Sequence, residues 1–417
     1  CEMCIRDSIN PRRVARQRRL PDLPVLKAFL YMTKAGIFDL SWSIHCPHCK
    51  GAATHAADLG QLRETGHCMS CDQDFRAGFD QNVELSFRVN PSVAKLEDLD
   101  PLELALRSFE LEPGITIDLD PGESHFIQMH LKAGNYGVVR VGGGEVVNLP
   151  IARFTGGTTP AGPGKVLDIA FAPDQPLLRI MPLVEGEQGL RITNKGPERA
   201  EYLFARIVAP QWTDAALVST LQEFRDLFSR EMLSPDQSFA IQNLSLIFTD
   251  IKGSTEMYER LGDAQAFSLV KQHFKIMEDV VREQNGGVVK TIGDAVMAVF
   301  RNPDQALRAA RRMIEAFDEF NAQEHITDEI IVKIGIHQGP CIAVTLNERL
   351  DYFGTSVNIA ARIQGLSDGR DIMVSERLWQ EAGASLDFAS TGWQTERFVT
   401  SLKGLKDSYP VWKLHRD

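Results

Sequence analysis

The chain has 417 residues, enough for two or three domains. Apolar residues make up 43% and charged residues 24%, the balance of an ordinary soluble protein. The formal net charge of −11 argues against general nucleic-acid binding. No apolar run reaches the ~18–20 residues of a membrane span, and no signal peptide is visible, so we expect a cytoplasmic protein.

Residues 1–20 need separate treatment because Met3–Ser8 resembles the translated end of a common sequencing transposon. We interpret Cys1–Ser8 as an artefact, which would leave the natural N-terminus, and any upstream domain, missing. The rest of this segment is expected to be a basic tail, a solvated or severed loop rather than a DNA-binding arm. Its basic residues are Arg12, Arg13, Arg16, Arg18 and Arg19.

Residues 21–45 predict a helix followed by a strand. Leu23–Ala35 has the apolar spacing of a helix that ends at Gly36, and Ile37–Trp42 favours a strand.

Residues 46–80 contain four of the seven cysteines in two Cys-x2-Cys pairs, separated by 18 residues. This is the spacing of a zinc ribbon, in which four thiolates complete a closed, structural site. Two disulfides are the alternative, but nothing in the sequence indicates an oxidising compartment. The predicted zinc ligands are Cys46, Cys49, Cys68 and Cys71.

Residues 81–209 change to short alternating strands separated by turn residues, as in Gly114–Leu119, Tyr136–Arg140 and Gly189–Thr193. Regular spacing of this kind predicts a β-sandwich or barrel. Because no catalytic cluster is visible, we interpret this domain as a regulatory or scaffold domain.

Residues 210–239 are expected to form a linker helix. Leu217, Leu221, Phe224 and Phe228 recur at steps of four, three and four, which makes an apolar seam that could pair across a dimer.

Residues 240–417 begin with a strand and a hairpin that present two aspartates. Ser245–Thr249 predicts a buried strand that ends at Asp250, and two apolar strands flank Gly293-Asp294. A strand end and a neighbouring hairpin tip can lie side by side, so the two carboxylates could share a pair of divalent ions. Alternatively, each aspartate only caps a turn.

The pattern around these aspartates alternates helices with strands. One predicted helix carries Phe267, Val270, Phe274, Met277 and Val281, and a second begins at Asn302-Pro303. Further strands are expected at 332–337 and 372–375. The order predicts an α+β sheet with helices on one face, similar to a ferredoxin-like core.

Four motifs in this region together resemble the class III nucleotidyl cyclases, the adenylate and guanylate cyclase catalytic domain. The resemblance covers about two-fifths of the chain, from Leu244 to Leu414. It rests on Phe248-Thr-Asp-Ile-Lys-Gly-Ser-Thr255, Lys290-Thr-Ile-Gly-Asp294, Asp351-Tyr-Phe-Gly-Thr-Ser-Val-Asn-Ile-Ala-Ala-Arg362 and Leu402-Lys-Gly404.

The resemblance implies a role for each motif residue in converting ATP to 3′,5′-cyclic AMP and pyrophosphate. Asp250, Asp294 and the Ile251 carbonyl would bind two Mg²⁺ or Mn²⁺ ions, which prefer oxygen ligands. Asn358 would contact the ribose oxygen and Arg362 the α-phosphate, four residues apart on one helix face. Lys403 would meet the β- and γ-phosphates, unless it is an exposed turn lysine.

Base choice follows from two further positions. Lys290 can donate to adenine N1 and Asp351 can accept from the 6-amino group, whereas guanine presents the opposite polarity. The resemblance therefore implies an adenylate cyclase, a phosphorus–oxygen lyase of bacterial type. A solvated strand lysine and a loop aspartate are the alternatives at these positions.

In the class III family, the metal aspartates come from one subunit and the other site residues from its partner. The resemblance thus implies a homodimer with two composite sites. Two alternatives stay open: a catalytically degenerate nucleotide-binding or dimerisation module, and a zinc-ribbon nucleic-acid binder.

Overall fold

The computed structural model describes most of the chain, and every statement below concerns the described residues. They are 8–47, 52–68, 73–94, 110–111, 114–141, 146–152, 166–173, 178–181, 183–208, 212–323, 328–383, 392–405 and 408–416. These residues divide into two compact units. One lies within 95–211, and the other combines residues up to 94 with those from 212 onwards.

The N-terminal part of the second unit is a four-stranded antiparallel sheet packed against two helices. The sheet has the order β1-β6-β2-β3, and β4 and β5 form a separate hairpin. The elements are β1 Ser8–Ile9, α1 Pro11–Arg18, α2 Asp22–Lys34, β2 Phe38–His45, β3 Ala52–Ala56, a 3₁₀ turn Leu59–Gln61, β4 Thr65–Cys68, β5 Gln73–Arg76 and β6 Val83–Val89.

This region corrects two of the sequence predictions. Residues 10–18 are not a loose tail, because the Asn10 side chain caps α1, whose Ala15 is fully buried. Of Cys1–Ser8 only Ser8, which pairs with Arg88, lies among the described residues, so their interpretation as an artefact stays a prediction. The predicted 81–209 domain begins too early, because β6 belongs to this sheet. The predicted helix and strand of 21–45 are confirmed as α2 and β2.

The other unit contains only strands among its described residues. One sheet has the order β13-β11-β10-β16-β7, with β14 on β11 and β8 on β16; the second has the order β12-β15-β9. Both sheets contribute to one apolar core, the arrangement of a sandwich. The strands are β7 Glu110–Leu111, β8 Ile115–Leu119, β9 Ser124–Leu131, β10 Gly134–Arg140, β11 Val146–Ala152, β12 Val166–Phe171, β13 Leu178–Ile180, β14 Leu183–Val184, β15 Gly186–Asn194 and β16 Ala200–Val208.

Two short helices, α3 Ala215–Thr220 and α4 Gln222–Leu227, replace the predicted linker helix. They are separated by Leu221, whose backbone is extended (φ −80°, ψ 129°). The seam residues Leu217, Leu221 and Phe224 are buried in the core of their own chain. The leucine spacing therefore reflects packing within the chain and not a long helix available to a partner.

The C-terminal part is an eight-stranded sheet with helices. The strand order is β18-β19-β17-β20-β22-β24-β23, with β21 paired to β20, and only β22 runs parallel to its neighbour β20. The elements are β17 Phe239–Ile251, α5 Ser254–Leu261, α6 Asp263–Glu283, β18 Gly287–Ile292, β19 Ala295–Phe300, α7 Pro303–Asn321, β20 Val332–Leu346, β21 Arg349–Phe353, α8 Thr355–Gln364, β22 Asp371–Ser375, α9 Glu376–Ala382, β23 Gln394–Ser401 and β24 Ser408–His415.

The expected α+β sheet is present, but its helices cover both faces. α6, α7 and α9 pack on one face through a shared core, while α3, α4 and part of α8 pack on the other. Asn302 caps α7 as predicted, accepting a hydrogen bond from the Asp304 amide. In α6, however, Phe267 is 62% exposed, because the buried face is centred on Ala266, His273 and Val280.

Residues 8–94 share their core with the C-terminal sheet, so they are not separate modules of 21–45 and 46–80. Trp42 and Phe87 pack in the same cluster as Phe224 and Met297. The Phe79 amide also donates to the Ala240 carbonyl on β17 (2.8 Å).

Among the described residues, no helix has both the length and the apolar character required to cross a bilayer.

Candidate active site

The two aspartates singled out from the sequence lie in contact. Asp250 is the second-to-last residue of β17. Asp294 lies in the two-residue turn between β18 and β19, where Gly293 adopts φ +65°. The Asp294 side chain hydrogen-bonds that of Asp250 and also accepts from the Ile251 amide (3.3 Å). The pairing of β17 with β19 therefore brings the strand end and the hairpin tip together.

Electrostatics at this pair favour a bound cation. Burial and the adjacent Asp294 charge raise the pKa of Asp250 to about 6. Two carboxylates in contact repel each other unless a proton or a cation lies between them. A pair of oxygen-donor carboxylates suits Mg²⁺ or Mn²⁺. Across the described residues, no set of three His, Cys, Asp or Glu side chains is grouped as metal ligands would be.

Lys333 is a neighbour of this pair that the sequence reasoning missed. It lies opposite Asp250 in the β17–β20 register, and its charge acts to lower the pKa of Asp250. The available signal was a lysine beginning an otherwise apolar strand, in Val332-Lys-Ile-Gly-Ile.

The two predicted base-reading residues form a second pair. Lys290 Nζ on β18 lies 2.6 Å from Asp351 Oδ2 on β21, although the two residues are 61 positions apart. The other oxygen, Asp351 Oδ1, accepts from the Tyr352 amide (2.7 Å). Asp351 is buried, so its carboxylate is held inside the protein. The Lys290 side chain is 37% exposed, so its ammonium reaches solvent.

The remaining motif residues form a third neighbourhood on α8 and the segment before β24. Ile359 and Ile363 of α8 pack against Leu402, which is 2% exposed. This packing brings Gly404 (φ +75°) beside Arg362, so close that a Cβ there would lie 3.4 Å from Arg362 Nη2. Lys403 and Asn358 are both exposed. Lys403 is therefore adjacent in sequence to the residue that lies beside Arg362, and its phosphate-binding role stays a prediction.

The four predicted zinc ligands are only half described. Cys46 follows β2 and Cys68 ends β4, and both are buried. Cys49 and Cys71 lie outside the described residues, so the zinc site stays a prediction.

Comparison with known protein families gives two matches. Residues 237–408 match the adenylate and guanylate cyclase catalytic domain. Residues 5–131 match a family of unknown function, DUF5939. This matched segment includes residues of both structural units.

Individual relatives agree with the first match. An adenylate cyclase of Lachancea kluyveri is 32% identical over 46% of this chain and 11% of its own length. One of Anabaena cylindrica is 32% identical over 38% of this chain and 37% of its own length. A solved adenylate/guanylate cyclase/hydrolase from Silicibacter pomeroyi is 22% identical over 43% of this chain and all of that chain, with a TM-score of 0.37, too low to support an argument.

The chain therefore spans about a tenth and about a third of these two curated relatives. The segment that matches the cyclase catalytic domain, residues 237–408, carries the three residue neighbourhoods described above. Residues 237–408 are accordingly a catalytic domain of the adenylate and guanylate cyclase family.

Proposed function

We propose that this chain is an adenylate cyclase that converts ATP to 3′,5′-cyclic AMP and pyrophosphate. In this reaction the ribose 3′-oxygen bonds to the α-phosphorus, the bond from the α-phosphorus to the β-phosphate bridging oxygen breaks, and the hydroxyl proton is released. The contact between Asp250 and Asp294 carries the proposal, because two adjacent carboxylates at a sheet end suit a divalent-cation site beside a triphosphate.

Asp250, Asp294 and the Ile251 carbonyl would hold Mg²⁺ or Mn²⁺. When bound, the metal supplies positive charge that activates the attacking oxygen and neutralises the leaving one. The raised pKa of Asp250 supports this assignment, since the carboxylate pair holds more negative charge than its surroundings neutralise.

Lys290 and Asp351 would recognise adenine. Lys290 Nζ donates to N1 and Asp351 Oδ2 accepts from the 6-amino group. The hydrogen bond from the Tyr352 amide leaves Asp351 Oδ2 directed towards Lys290, which supports the assignment. Guanine would leave both groups facing the wrong polarity, and unpaired polar groups in a buried site discriminate strongly.

Arg362, Asn358 and Lys403 would bind the sugar and phosphates. The Arg362 guanidinium is planar and always charged, and so suits the charge that develops on the α-phosphate. Asn358 would orient the ribose, and Lys403, placed beside Arg362, would meet the β- and γ-phosphates.

We propose that the complete site forms between two chains of a homodimer. The metal pair would come from one chain and the base-reading pair, Asn358 and Arg362 from its partner. The resemblance to the class III cyclases, in which these two sets of residues come from different subunits, supports this division.

The part of the chain before the catalytic domain would form a regulatory region in the cytoplasm, made up of the β-domain and of residues 8–94 with zinc at the four cysteines. Direct contacts of residues 8–94 with the segment before the catalytic domain support a regulatory role. Lys27 lies 2.9 Å from Glu223 on α4, and the Trp42 indole and the Leu59 amide both donate to Glu231.

The test is to incubate the purified chain with Mn²⁺ and either ATP or GTP, and to identify the products by mass spectrometry. We expect cyclic AMP from ATP and little cyclic GMP. Cyclic GMP as the main product would overturn the base assignment. Nucleotide binding without either product would favour the degenerate module.

A further inference from the structure

Arg225 on α4 joins two edge strands of the catalytic sheet. Its guanidinium donates to the carbonyls of Val288 (3.0 Å) and Val289 (3.5 Å) on β18, and of Leu350 (2.7 Å) on β21. A further donor reaches the Ser219 carbonyl (3.1 Å) at the end of α3. One side chain from the segment preceding the catalytic sheet thus contacts both strands.

The carbonyls that Arg225 contacts directly precede the two base-reading residues. Val289 is followed by Lys290, and Leu350 by Asp351. β18 is the last strand of the sheet, and its pairing with β19 is irregular between Val288 and Lys290. The ladder therefore constrains Lys290 less than it would in a central strand, and Arg225 adds hydrogen bonds to both strands beside the base-reading residues.

Gln222 and Gly287 also hold α4 close to the β18 edge of the sheet. The Gln222 side chain accepts from the Val288 amide (2.7 Å), and the Gln222 backbone amide donates to the Gly286 carbonyl (3.0 Å). A Cβ on Gly287 would lie 2.7 Å from the Thr220 carbonyl and 2.8 Å from Arg225 Cδ. The glycine at 287 thus permits the close approach that the arginine needs.

Tyr352 links the second strand to the same segment. Its hydroxyl donates to Ser219 Oγ (2.8 Å), and its ring centre lies 6.0 Å from Arg225 Cζ. Tyr352 is also the residue whose amide holds Asp351 Oδ1, so α3 and α4 reach both members of the base-reading pair through their backbones.

We propose that Arg225 is a positioning residue for purine recognition, fixing the spacing of β18 and β21 and hence the distance between Lys290 and Asp351. The inference rests on the proposed function, because it assigns those two residues to the base. It adds that discrimination between adenine and guanine depends on a residue outside the base site. Arginine suits this role because three nitrogens share the work: Nε contacts Val288, Nη1 contacts Ser219, and Nη2 contacts Val289 and Leu350. A lysine has one nitrogen and cannot make all four contacts.

The experiment compares Arg225→Lys and Arg225→Gln with the wild type and with Arg230→Gln, a matched change at an exposed arginine a few residues further on. Gly287→Ala, which pushes α4 from the strand edge, is an independent second disruption. The readouts are kcat/KM for ATP and for GTP, and the affinities of fluorescent ATP and GTP analogues measured without turnover. Thermal melting establishes which variants are folded.

We expect the ATP-to-GTP ratio, by turnover and by affinity, to fall on the order of ten- to a hundredfold in Arg225→Lys and Gly287→Ala, because misplacement by about 1 Å is enough for such losses. Arg230→Gln should keep the wild-type ratio. If Arg225→Gln does not fold, the two milder variants carry the test.

Equal losses for both nucleotides, or an unchanged ratio in folded variants, would overturn the inference and leave the proposed function intact. A wild type that makes no cyclic nucleotide would overturn the proposed function instead. The analogue affinities still decide the inference in that case, and a wild type with no adenine preference would contradict it.

Discussion

The metal pair and the base-reading pair differ in what holds each together. Asp250 and Asp294 are brought into contact by the pairing of the adjacent strands β17 and β19. Lys290 and Asp351 lie on two edge strands, and Arg225, from outside the catalytic sheet, bonds to both of these strands. The first pair is thus intrinsic to the catalytic sheet, whereas the second depends on the segment that precedes it. We therefore expect changes in the preceding segment to affect Lys290 and Asp351 and to leave the contact between Asp250 and Asp294 in place.

The largest effect should come from breaking the metal pair. Asp250→Asn should lower kcat by on the order of a thousandfold for ATP and GTP alike, because it removes charge that serves either nucleotide. Steady-state rates with Mn²⁺ measure the loss. Asp279→Asn, at an exposed aspartate paired with Lys275, is the matched control and should leave the rate unchanged.

Asp250→Asn should fold normally, since it relieves the repulsion between the Asp250 and Asp294 carboxylates. Its melting temperature without divalent ions should equal or exceed that of the wild type. An active Asp250→Asn protein would remove the metal role from this residue.

A smaller and more selective effect is expected at the base-reading pair. Asp351→Asn keeps a hydrogen-bonding amide but places a donor where adenine also presents one. We expect kcat/KM for ATP to fall about ten- to a hundredfold, with a smaller change for GTP. Parallel losses for both nucleotides would show that the residue supports the fold and does not read the base.

Local signals in the sequence predicted the elements that form the metal pair. The hairpin from Val288 to Phe300 follows from two apolar runs around Gly-Asp, and the strand before Asp250 from its β-branched residues. Both depend on neighbours close in sequence. The four cyclase motifs then indicated that the two aspartates lie close together. Local patterns alone could not have predicted that contact, because the two residues are far apart in the sequence.

Long-range packing explains what the sequence could not predict. Leu217, Leu221 and Phe224 have the spacing of a dimeric helix seam, but they fill the core between the two sheets of their own unit. Nothing in the sequence indicated the role of Arg225, because its carbonyl partners on distant strands can be identified only from the fold. Residues 8–94 looked modular because local patterns do not reveal a core shared with distant strands.

A pH-dependent change in stability should report on β20, the strand that supports both pairs. Burial, together with the nearby Arg377 charge, lowers the pKa of His337 on β20 to about 4. The unfolded chain binds this proton near pH 6.5, so stability should fall between about pH 6.5 and 4. The expected loss is on the order of 3 kcal/mol, at 1.36 kcal/mol per pKa unit.

Urea unfolding of the wild type and His337→Gln at pH 7.5 and 4.5 measures this contribution. The variant should show the smaller loss of stability on acidification. His415→Gln, at a half-buried histidine of β24 in the same sheet, is the control. An identical pH dependence in wild type and His337→Gln would exclude His337 as a source of acid instability.

The smallest effect on catalysis is expected from the zinc cysteines, which lie in the N-terminal region. Metal analysis should find about one zinc per chain, and Cys46→Ser should abolish it while lowering the melting temperature. In Cys46→Ser, the preference for ATP over GTP should change more than the dependence of the rate on Mn²⁺ concentration. A preparation that binds no zinc and has four free thiols at these positions would contradict the site.

The measurement that most directly tests the proposed active site, shared between two chains, is complementation between inactive variants. Asp250→Ala and Arg362→Ala proteins, each inactive alone, should regain a fraction of wild-type cyclase activity when mixed, because a mixed dimer contains one intact composite site. Verified mixed dimers with no recovered activity would contradict a site shared between two chains.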